Sequence, residues 1–150
     1  MQALLSLWDA GKHQQALDML IPIMLRCSPG STEEGIRRGL RFHADGRLQF
    51  WNLYGCALTA LPEEFGTVRT TGDLRLDGNQ IASLPESFGH ITVGGHLHLY
   101  GNQIASLPES FGRIAVGGDL YLKCNGRDMG PAMAKAVALC YPNVKGKVFK

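Results

Sequence analysis

Apolar and polar positions along the middle of the chain recur with a period of 23 residues. In each unit two apolar residues flank a polar one, and a little further on a leucine is followed directly by a proline. Alternation with a period of two predicts a short β-strand. The proline predicts that the chain then leaves the strand, because proline has no N–H for a sheet ladder. The first apolar positions are Trp51, Leu74, Leu97 and Leu120, and the second are Leu53, Leu76, Leu99 and Leu122.

The stretch GNQIASLPESFG occurs twice without change, at residues 78–89 and 101–112. A single unit of this kind has an apolar edge that it cannot cover alone, so neighbouring units must stack on one another. We therefore interpret the identity as one packing problem solved twice. The letters that differ between units are better candidates for function.

Four residues stand between the strand and the Leu-Pro of successive units: Cys56, Asn79, Asn102 and Asn125. With them the pattern L-x-L-x-x-N-x-I-x-x-L-P resembles the leucine-rich repeat family, in a form with 23-residue LPxxF-type repeats. The resemblance implies an α/β leucine-rich repeat solenoid with a short curved parallel β-sheet of about five strands. It also implies that these four side chains form a structural ladder, turned inward to bond the backbone of adjacent turns, where buried polar groups need partners.

Residues 1–45 do not show the period. Their apolar spacing predicts amphipathic helices, with Pro22 as a kink or break. The run 31–34, Ser-Thr-Glu-Glu, resembles a capping box that opens a third helix extending through Leu40. We expect a helical N-terminal cap for the first unit. The alternative is a small separate binding module, since LWDAGKHQQALDML resembles one tetratricopeptide hairpin.

The C-terminal part repeats the phrase V-x-G-x-L/V at Val144 to Val148, which is 28 residues after Leu120 instead of 23. The five extra residues fall in the alanine-rich run 131–140, where we predict a convex helix followed by a closing strand at 148–150. The glycines of the phrase, such as Gly94 and Gly117, are expected to bend the chain with positive φ. The predicted organisation is a single domain with a cap at 1–45, repeats at 46–128 and a C-terminal helix and strand at 129–150.

Composition narrows the classes of partner. The 15 basic and 13 acidic residues are scattered and give a formal charge of +2, so we expect no nucleic-acid partner. No apolar run reaches the ~18–20 residues of a membrane span, and no signal peptide is recognisable, so we expect no membrane partner. The four cysteines form no CxxC pair and are interpreted as reduced, which favours a cytoplasmic protein.

The candidate site is the concave face that the resemblance implies, where residues between the core positions of the strands point outward. Aromatic residues and arginine are the types that anchor protein interfaces, so we predict recognition of a protein or peptide. A strip of about 300 Å² suits a peptide, a loop or one helix. The alternatives are aromatics retained for their β-propensity and a structural or assembly role of the termini or convex loops. The predicted partner-binding residues are Asn52, Asp73, Arg75, His96, His98, Tyr100, Asp119 and Tyr121.

Asp73, His96 and Asp119 occupy equivalent places on three predicted strands, and His98 lies nearby. They offer ligand types that zinc accepts, but we favour a surface ion-pair ladder and expect no metal and no cofactor. No cysteine has a histidine at a spacing that indicates a thiol–histidine pair, so no enzyme is expected. We expect a monomer, because the positive charges of lysines near the last strand disfavour its pairing with a strand of a second molecule. A dimer through that C-terminal edge strand is the alternative.

Overall fold

The computed structural model describes residues 1–123, 125 and 143–149, which form an α/β structure around a mostly parallel sheet of six strands in the order β1-β2-β4-β6-β8-β9. A smaller sheet has the order β3-β5-β7. The helices are α1 (Gln2–Asp9), α2 (His13–Cys27) and α3 (Glu33–Arg38), with 3₁₀ helices at Glu63–Thr67, Glu86–His90 and Glu109–Arg113. The strands are β1 (Leu40–Phe42), β2 (Leu48–Asn52), β3 (Arg69–Thr70), β4 (Leu74–Arg75), β5 (Thr92–Val93), β6 (Leu97–His98), β7 (Ala115–Val116), β8 (Leu120–Tyr121) and β9 (Val148–Phe149).

The parallel strands of the larger sheet pair in the register that the period predicts. Leu74 lies opposite Leu97, and Leu97 lies opposite Leu120. The last pair joins Leu120 to Val148, which matches the longer step read from the sequence. The prediction of a parallel sheet in an α/β fold is therefore confirmed. The sheet has one strand more than expected, because β1 pairs with β2 antiparallel from within the predicted cap.

The sequence analysis did not predict the three-stranded sheet. It places Val93 opposite Val116, and both valines are buried. The glycines that follow them do not have positive φ, so that expectation is wrong. They allow close approach instead: a Cβ on Gly94 would lie 2.3 Å from the Thr71 carbonyl oxygen. Positive φ, 68° in both cases, occurs at Gly78 and Gly101 in the turn after the strand.

The core contains a column of phenylalanine rings, one from each of three successive units, and Trp51 of the first unit extends this column by a fourth ring. Trp51 packs on Phe65 with ring centroids 5.8 Å apart, and Phe65, Phe88 and Phe111 follow at 6.2 Å and 6.1 Å with nearly parallel planes. All four side chains are fully buried. Each phenylalanine lies in a 3₁₀ helix that begins directly after the proline of Leu-Pro. The 3₁₀ helix at the corner of each unit thus contributes one phenylalanine ring to a continuous column in the core.

Asparagine side chains satisfy the backbone at the turns inside the core. Asn102 Nδ2 donates to the carbonyls of Leu76 and Leu99, and its Oδ1 accepts from Ile81 N–H at 3.1 Å. Asn79 and Asn125 make the equivalent three bonds one unit earlier and one unit later. The first member of the series, Cys56, offers only a thiol, 3.7 Å from the Gly35 carbonyl oxygen. The bonds of each asparagine therefore connect neighbouring units.

The serines of the doubled segment also connect units. Ser87 Oγ donates to the Glu63 carbonyl, and Ser110 Oγ donates to the Glu86 carbonyl. The Glu63 carboxylate accepts from the backbone N–H groups of Glu86 and Ser87, both at 3.1 Å. The repeated serine is therefore used in the same way in both copies.

The N-terminal helices lie against the first unit. Trp8 Nε1 donates to Thr67 Oγ1 at 2.9 Å. Buried His13 bridges the same junction, since its Nδ1 accepts from Leu48 N–H at 2.7 Å and its Nε2 lies 3.2 Å from the Trp8 carbonyl oxygen. Burial lowers the pKa of His13 below its ordinary value. The neutral imidazole is thus the form that fits, with its proton on Nε2.

The predicted helices are present, but two details of their prediction are corrected. α2 continues through Pro22 from His13 to Cys27, so the proline does not end it. The third helix is capped by Thr32, whose Oγ1 accepts from Gly35 N–H at 3.1 Å, and it ends at Arg38. Ser31 instead donates to the Cys56 carbonyl.

Within the described residues, no helix combines the length and the apolar character needed to cross a membrane. The convex helix predicted at 131–140 lies outside the described residues. The division into a cap, repeats and a C-terminal part stays a prediction.

We predict that replacing Asn102 by alanine lowers the free energy of unfolding by about 2 kcal/mol, because Ile81 N–H loses its partner and the Leu76 and Leu99 carbonyls each lose one of two asparagine donors. Urea denaturation measures the change. Gln103→Ala is the control: the neighbouring side chain is exposed, so it should change stability by less than about 0.5 kcal/mol. Equal effects of the two variants would show that the asparagine bonds do not stabilise the fold.

We predict that His13 makes stability depend on pH. Because its folded pKa lies below the ordinary value of 6.5, its contribution is complete above pH 6.5 and declines as pH falls toward the folded pKa, since the unfolded chain takes up the proton first. Unfolding free energies measured between pH 8 and pH 5 should fall less steeply in His13→Asn than in the wild type. Thr67→Val removes the other side-chain bond of this junction and should keep the wild-type slope. A wild-type slope in His13→Asn would contradict the assignment.

Candidate recognition face

One face of the six-stranded sheet is turned away from the core. Its middle consists of one residue from each of five adjacent strands, and strand pairing places these residues side by side. We call this side of the sheet the outer face and these residues the central row: Asn52, Arg75, His98, Tyr121 and Phe149. They are all partly exposed.

The rings of the central row stack on one another. His98 lies parallel to Tyr121 with centroids 4.6 Å apart, and Tyr121 lies parallel to Phe149 at 4.8 Å. We call these three residues the aromatic stack. Tyr100 meets His98 and Tyr121 edge-on, at 6.0 Å and 6.3 Å. The rings therefore form an array across three strands, in the stacked and T-shaped arrangements that aromatic pairs favour.

One ring nitrogen of His98 lacks a hydrogen-bond partner. Its Nδ1 is buried and has no hydrogen-bond partner among the described residues. Burial lowers the pKa of His98, so the ring is neutral near pH 7. An unpaired buried polar atom is rare in native proteins because it costs free energy. The ring position is therefore determined by stacking on Tyr121 and not by polar contacts of Nδ1.

Arg75 already forms an ion pair with another residue of this chain. Its guanidinium forms two hydrogen bonds with Asp77, from Nε at 3.1 Å and from Nη2 at 2.8 Å, and lies 5.4 Å from the centre of the Tyr54 ring. The bonds to Asp77 raise the pKa of Arg75. The Asp77 side chain is fully buried, whereas the Arg75 side chain keeps about a third of its exposure. Arg75 thus presents one edge outward and also neutralises a buried carboxylate.

A second row on the outer face forms a staircase from unit to unit. His96 N–H donates to Asp73 Oδ1 at 2.7 Å, Asp119 N–H donates to His96 Nδ1 at 2.8 Å, and Lys147 N–H donates to Asp119 Oδ1 at 2.7 Å. The expected ion-pair ladder is therefore wrong. A His96 Nδ1 that accepts an N–H carries no proton, and it lies 3.6 Å from Asp119 Oδ2.

The same bonds bear on the metal alternative. Within residues 1–123, 125 and 143–149, no three His, Cys, Asp or Glu side chains come together in a way that could hold a metal ion. Asp73, His96 and Asp119 each direct an acceptor atom at the backbone of the next unit. Their role in the structure is to satisfy these N–H groups.

A pocket of about 520 Å³ opens at the N-terminal end of the outer face, between α3, β1 and β2. Arg38, Arg41, Phe50, Asn52, Tyr54 and Cys56 line it together with four glycines and other small residues. Burial raises the pKa of the Cys56 thiol, so this cysteine is protonated and a poor nucleophile.

The structure places all eight predicted partner-binding residues on or beside the outer face. Asn52, Arg75, His98 and Tyr121 form the central row with Phe149, Tyr100 flanks it, and Asp73, His96 and Asp119 form the staircase. The period also gives the positions of Phe149 and Tyr54 on this face, but neither is among the predicted partner-binding residues. It could not find the arginines of the pocket, because the strand β1 that carries Arg41 was itself unexpected.

No protein-family model and no curated protein matches the chain.

We predict that the staircase needs an acceptor at position 96 and does not need a charge. His96→Ala should lower the free energy of unfolding by about 1 kcal/mol, because Asp119 N–H loses its partner. His96→Asn supplies a neutral oxygen near the place of Nδ1 and should stay within about 0.5 kcal/mol of the wild type. Thermal or urea unfolding of the two variants measures the difference. Equal loss in both would mean that the imidazole ring matters and the acceptor does not.

Proposed function

We propose that this chain is a leucine-rich repeat protein that recognises a peptide or an extended protein segment through its outer face. Strand pairing at intervals of 23 residues supports the repeat assignment. The inward asparagine side chains that bond neighbouring units support it as well. In this assignment the outer face is the concave face of the repeats.

The aromatic stack is the observation that carries the recognition proposal. It spans two strand spacings, about 10 Å, and its rings are partly exposed. The core has an aromatic column of its own on the other side of the sheet, so core packing does not require these rings. Rigid aromatic side chains lose little conformational entropy on binding and offer a large contact area. Three of them in contact form an anchoring surface.

The extent of the outer face limits the partner. Six strands at ~4.8 Å, with about four residues of ~3.3 Å each, give roughly 400 Å². A standard interface buries ~800 Å² on each side. A peptide, a loop or one helix fits this area better than a large flat protein surface does.

The second candidate is an assembly role through the edge of the sheet. β9 is the last strand in the sheet order, and within the described residues no strand pairs with its far side. Lys145 and Lys147 are exposed near this edge and oppose the approach of a second copy. We therefore propose a monomer as the recognising form.

We predict that peptides bind the aromatic stack. A random dodecapeptide library displayed on phage, selected on the immobilised protein, should yield binders whose synthetic versions give saturable fluorescence anisotropy. His98→Thr and Tyr121→Thr keep β-propensity but remove the rings, and each should weaken binding at least about tenfold.

Gln103→Ala, away from the outer face, is the control and should bind like the wild type. Far-UV circular dichroism verifies that the threonine variants remain folded. Peptides that bind the threonine variants as tightly as the wild type would place recognition elsewhere on the molecule. A dimer in sedimentation at all accessible concentrations would favour the assembly role.

A further inference from the structure

The pocket at the N-terminal end of the outer face is large enough for a side chain or a small group of atoms. Its volume of about 520 Å³ lies within the range of ~300–1,000 Å³ that is common for ligand sites. Asn52 belongs both to its lining and to the central row, so the pocket and the aromatic stack are parts of one continuous surface.

The charges that line the pocket have one sign. Arg38 and Arg41 are among its lining residues, and no aspartate or glutamate is in the described lining. Arg41 Nη1 donates to the backbone carbonyls of Arg38 and Leu40, and no carboxylate among the described residues pairs with it. Arg38 pairs with Glu34, but both side chains are largely exposed, so a ligand can replace this weak pair at little cost.

The remaining walls suit a carboxylate that is attached to a peptide. Phe50 and Tyr54 supply apolar surface, and Gly39 and Gly55 bring backbone to the pocket without side chains. Arginine presents a planar fork of donors that matches a carboxylate, which makes it the preferred residue for such contacts. The Arg75 guanidinium lies over the Tyr54 ring, and its charge is already paired with Asp77.

The spacing between the pocket and the aromatic stack sets a register for a bound peptide. His98 is two strands away from Asn52 and Tyr121 is three strands away, which at ~4.8 Å per strand is about 10–14 Å. An extended peptide that crosses the strands covers this distance in about three or four residues at ~3.3 Å per residue.

We propose that the pocket binds an acidic side chain of the partner, so that the partner is an acidic peptide segment with an apolar or aromatic residue three or four positions from its glutamate or aspartate. The acidic residue sits between Arg38 and Arg41, and the apolar residue packs on the aromatic stack. This inference rests on the proposed function, because it assigns the chemistry of the segment that the outer face recognises.

The test uses the peptides that the random dodecapeptide library yields on the whole 150-residue chain. We expect glutamate or aspartate to be enriched at one position, three or four residues from an enriched apolar position. In the synthetic consensus peptide, changing that glutamate to glutamine should weaken binding to the wild type about tenfold. Binding of the glutamate peptide should also weaken as salt is raised from 50 to 500 mM.

The variant Arg38→Gln with Arg41→Gln should bind the glutamate and glutamine peptides equally, because it loses the groups that distinguish them. The matched control is Arg26→Gln with Arg113→Gln, which removes the same charge from exposed positions on α2 and on the third 3₁₀ helix. This control should keep the preference for glutamate. Far-UV circular dichroism and urea unfolding verify that both double variants are folded.

The outcomes separate this inference from the proposed function. Selected peptides that depend on Tyr121 but show no acidic preference, or keep that preference in Arg38→Gln with Arg41→Gln, overturn the acidic pocket and leave recognition by the aromatic stack in place. A loss of preference in the control variant shows that net charge is responsible, and it also overturns the pocket. A library that yields no binder overturns the proposed function and this inference together.

Discussion

A chain that turns a corner inside its own core must satisfy the polar backbone groups that it buries there, and in this protein asparagine side chains do so. Each of them bonds carbonyls of its own unit and of the preceding one and accepts an N–H of the turn between them. A slip of one residue between units would remove all these bonds together. The strict register of the parallel sheet follows from this requirement.

The register determines what happens on both sides of the sheet. Equivalent side chains of adjacent units are held at the strand spacing, so rings at equivalent places stack whether they point inward or outward. Inside, Phe65, Phe88 and Phe111 form the core column. Outside, His98, Tyr121 and Phe149 form the aromatic stack. The same geometry that stabilises the fold therefore holds a row of stacked rings in position before any partner arrives, which lowers the entropic cost of binding.

The first unit is where this regularity ends. Cys56 stands in place of asparagine and makes only weak sulfur contacts, while α3 and β1 cover the turn that an earlier unit would otherwise cover. Because a helix and an antiparallel strand cannot reproduce the shape of a unit, a pocket remains between them and β2. The two arginines that line it come from these non-repeating elements.

The parallel strands, the buried positions and the residues of the central row were predictable from the period, because equivalent residues recur at these positions in successive units of the sequence. Features that occur once, or that depend on a side chain's reach, were not predictable. β1 alternates only over its three residues, Leu40 to Phe42, and it occurs once, just after a helix, so the period gave no sign of it. Asp77 follows Arg75 by two, so alternation alone would put it on the outer face, but β4 ends at Arg75 and the Asp77 carboxylate is buried against the guanidinium. His96 reads as a charge between two carboxylates, yet the nearest hydrogen-bonding group is the backbone N–H of the next unit.

The interchangeability of the two copies of GNQIASLPESFG has a consequence for how the molecule could change in length. Each copy begins at the same point of a unit and makes the same kinds of bonds to its neighbours, so removing residues 78–100 would join Asp77 to an identical continuation at Gly101. The core column and the asparagine bonds would close up with one layer fewer. On the outer face Arg75 would then stand beside Tyr121 without His98 between them. A whole layer can therefore be gained or lost while the contacts between units are conserved. Each such change would alter the order of the side chains along the outer face that a partner contacts.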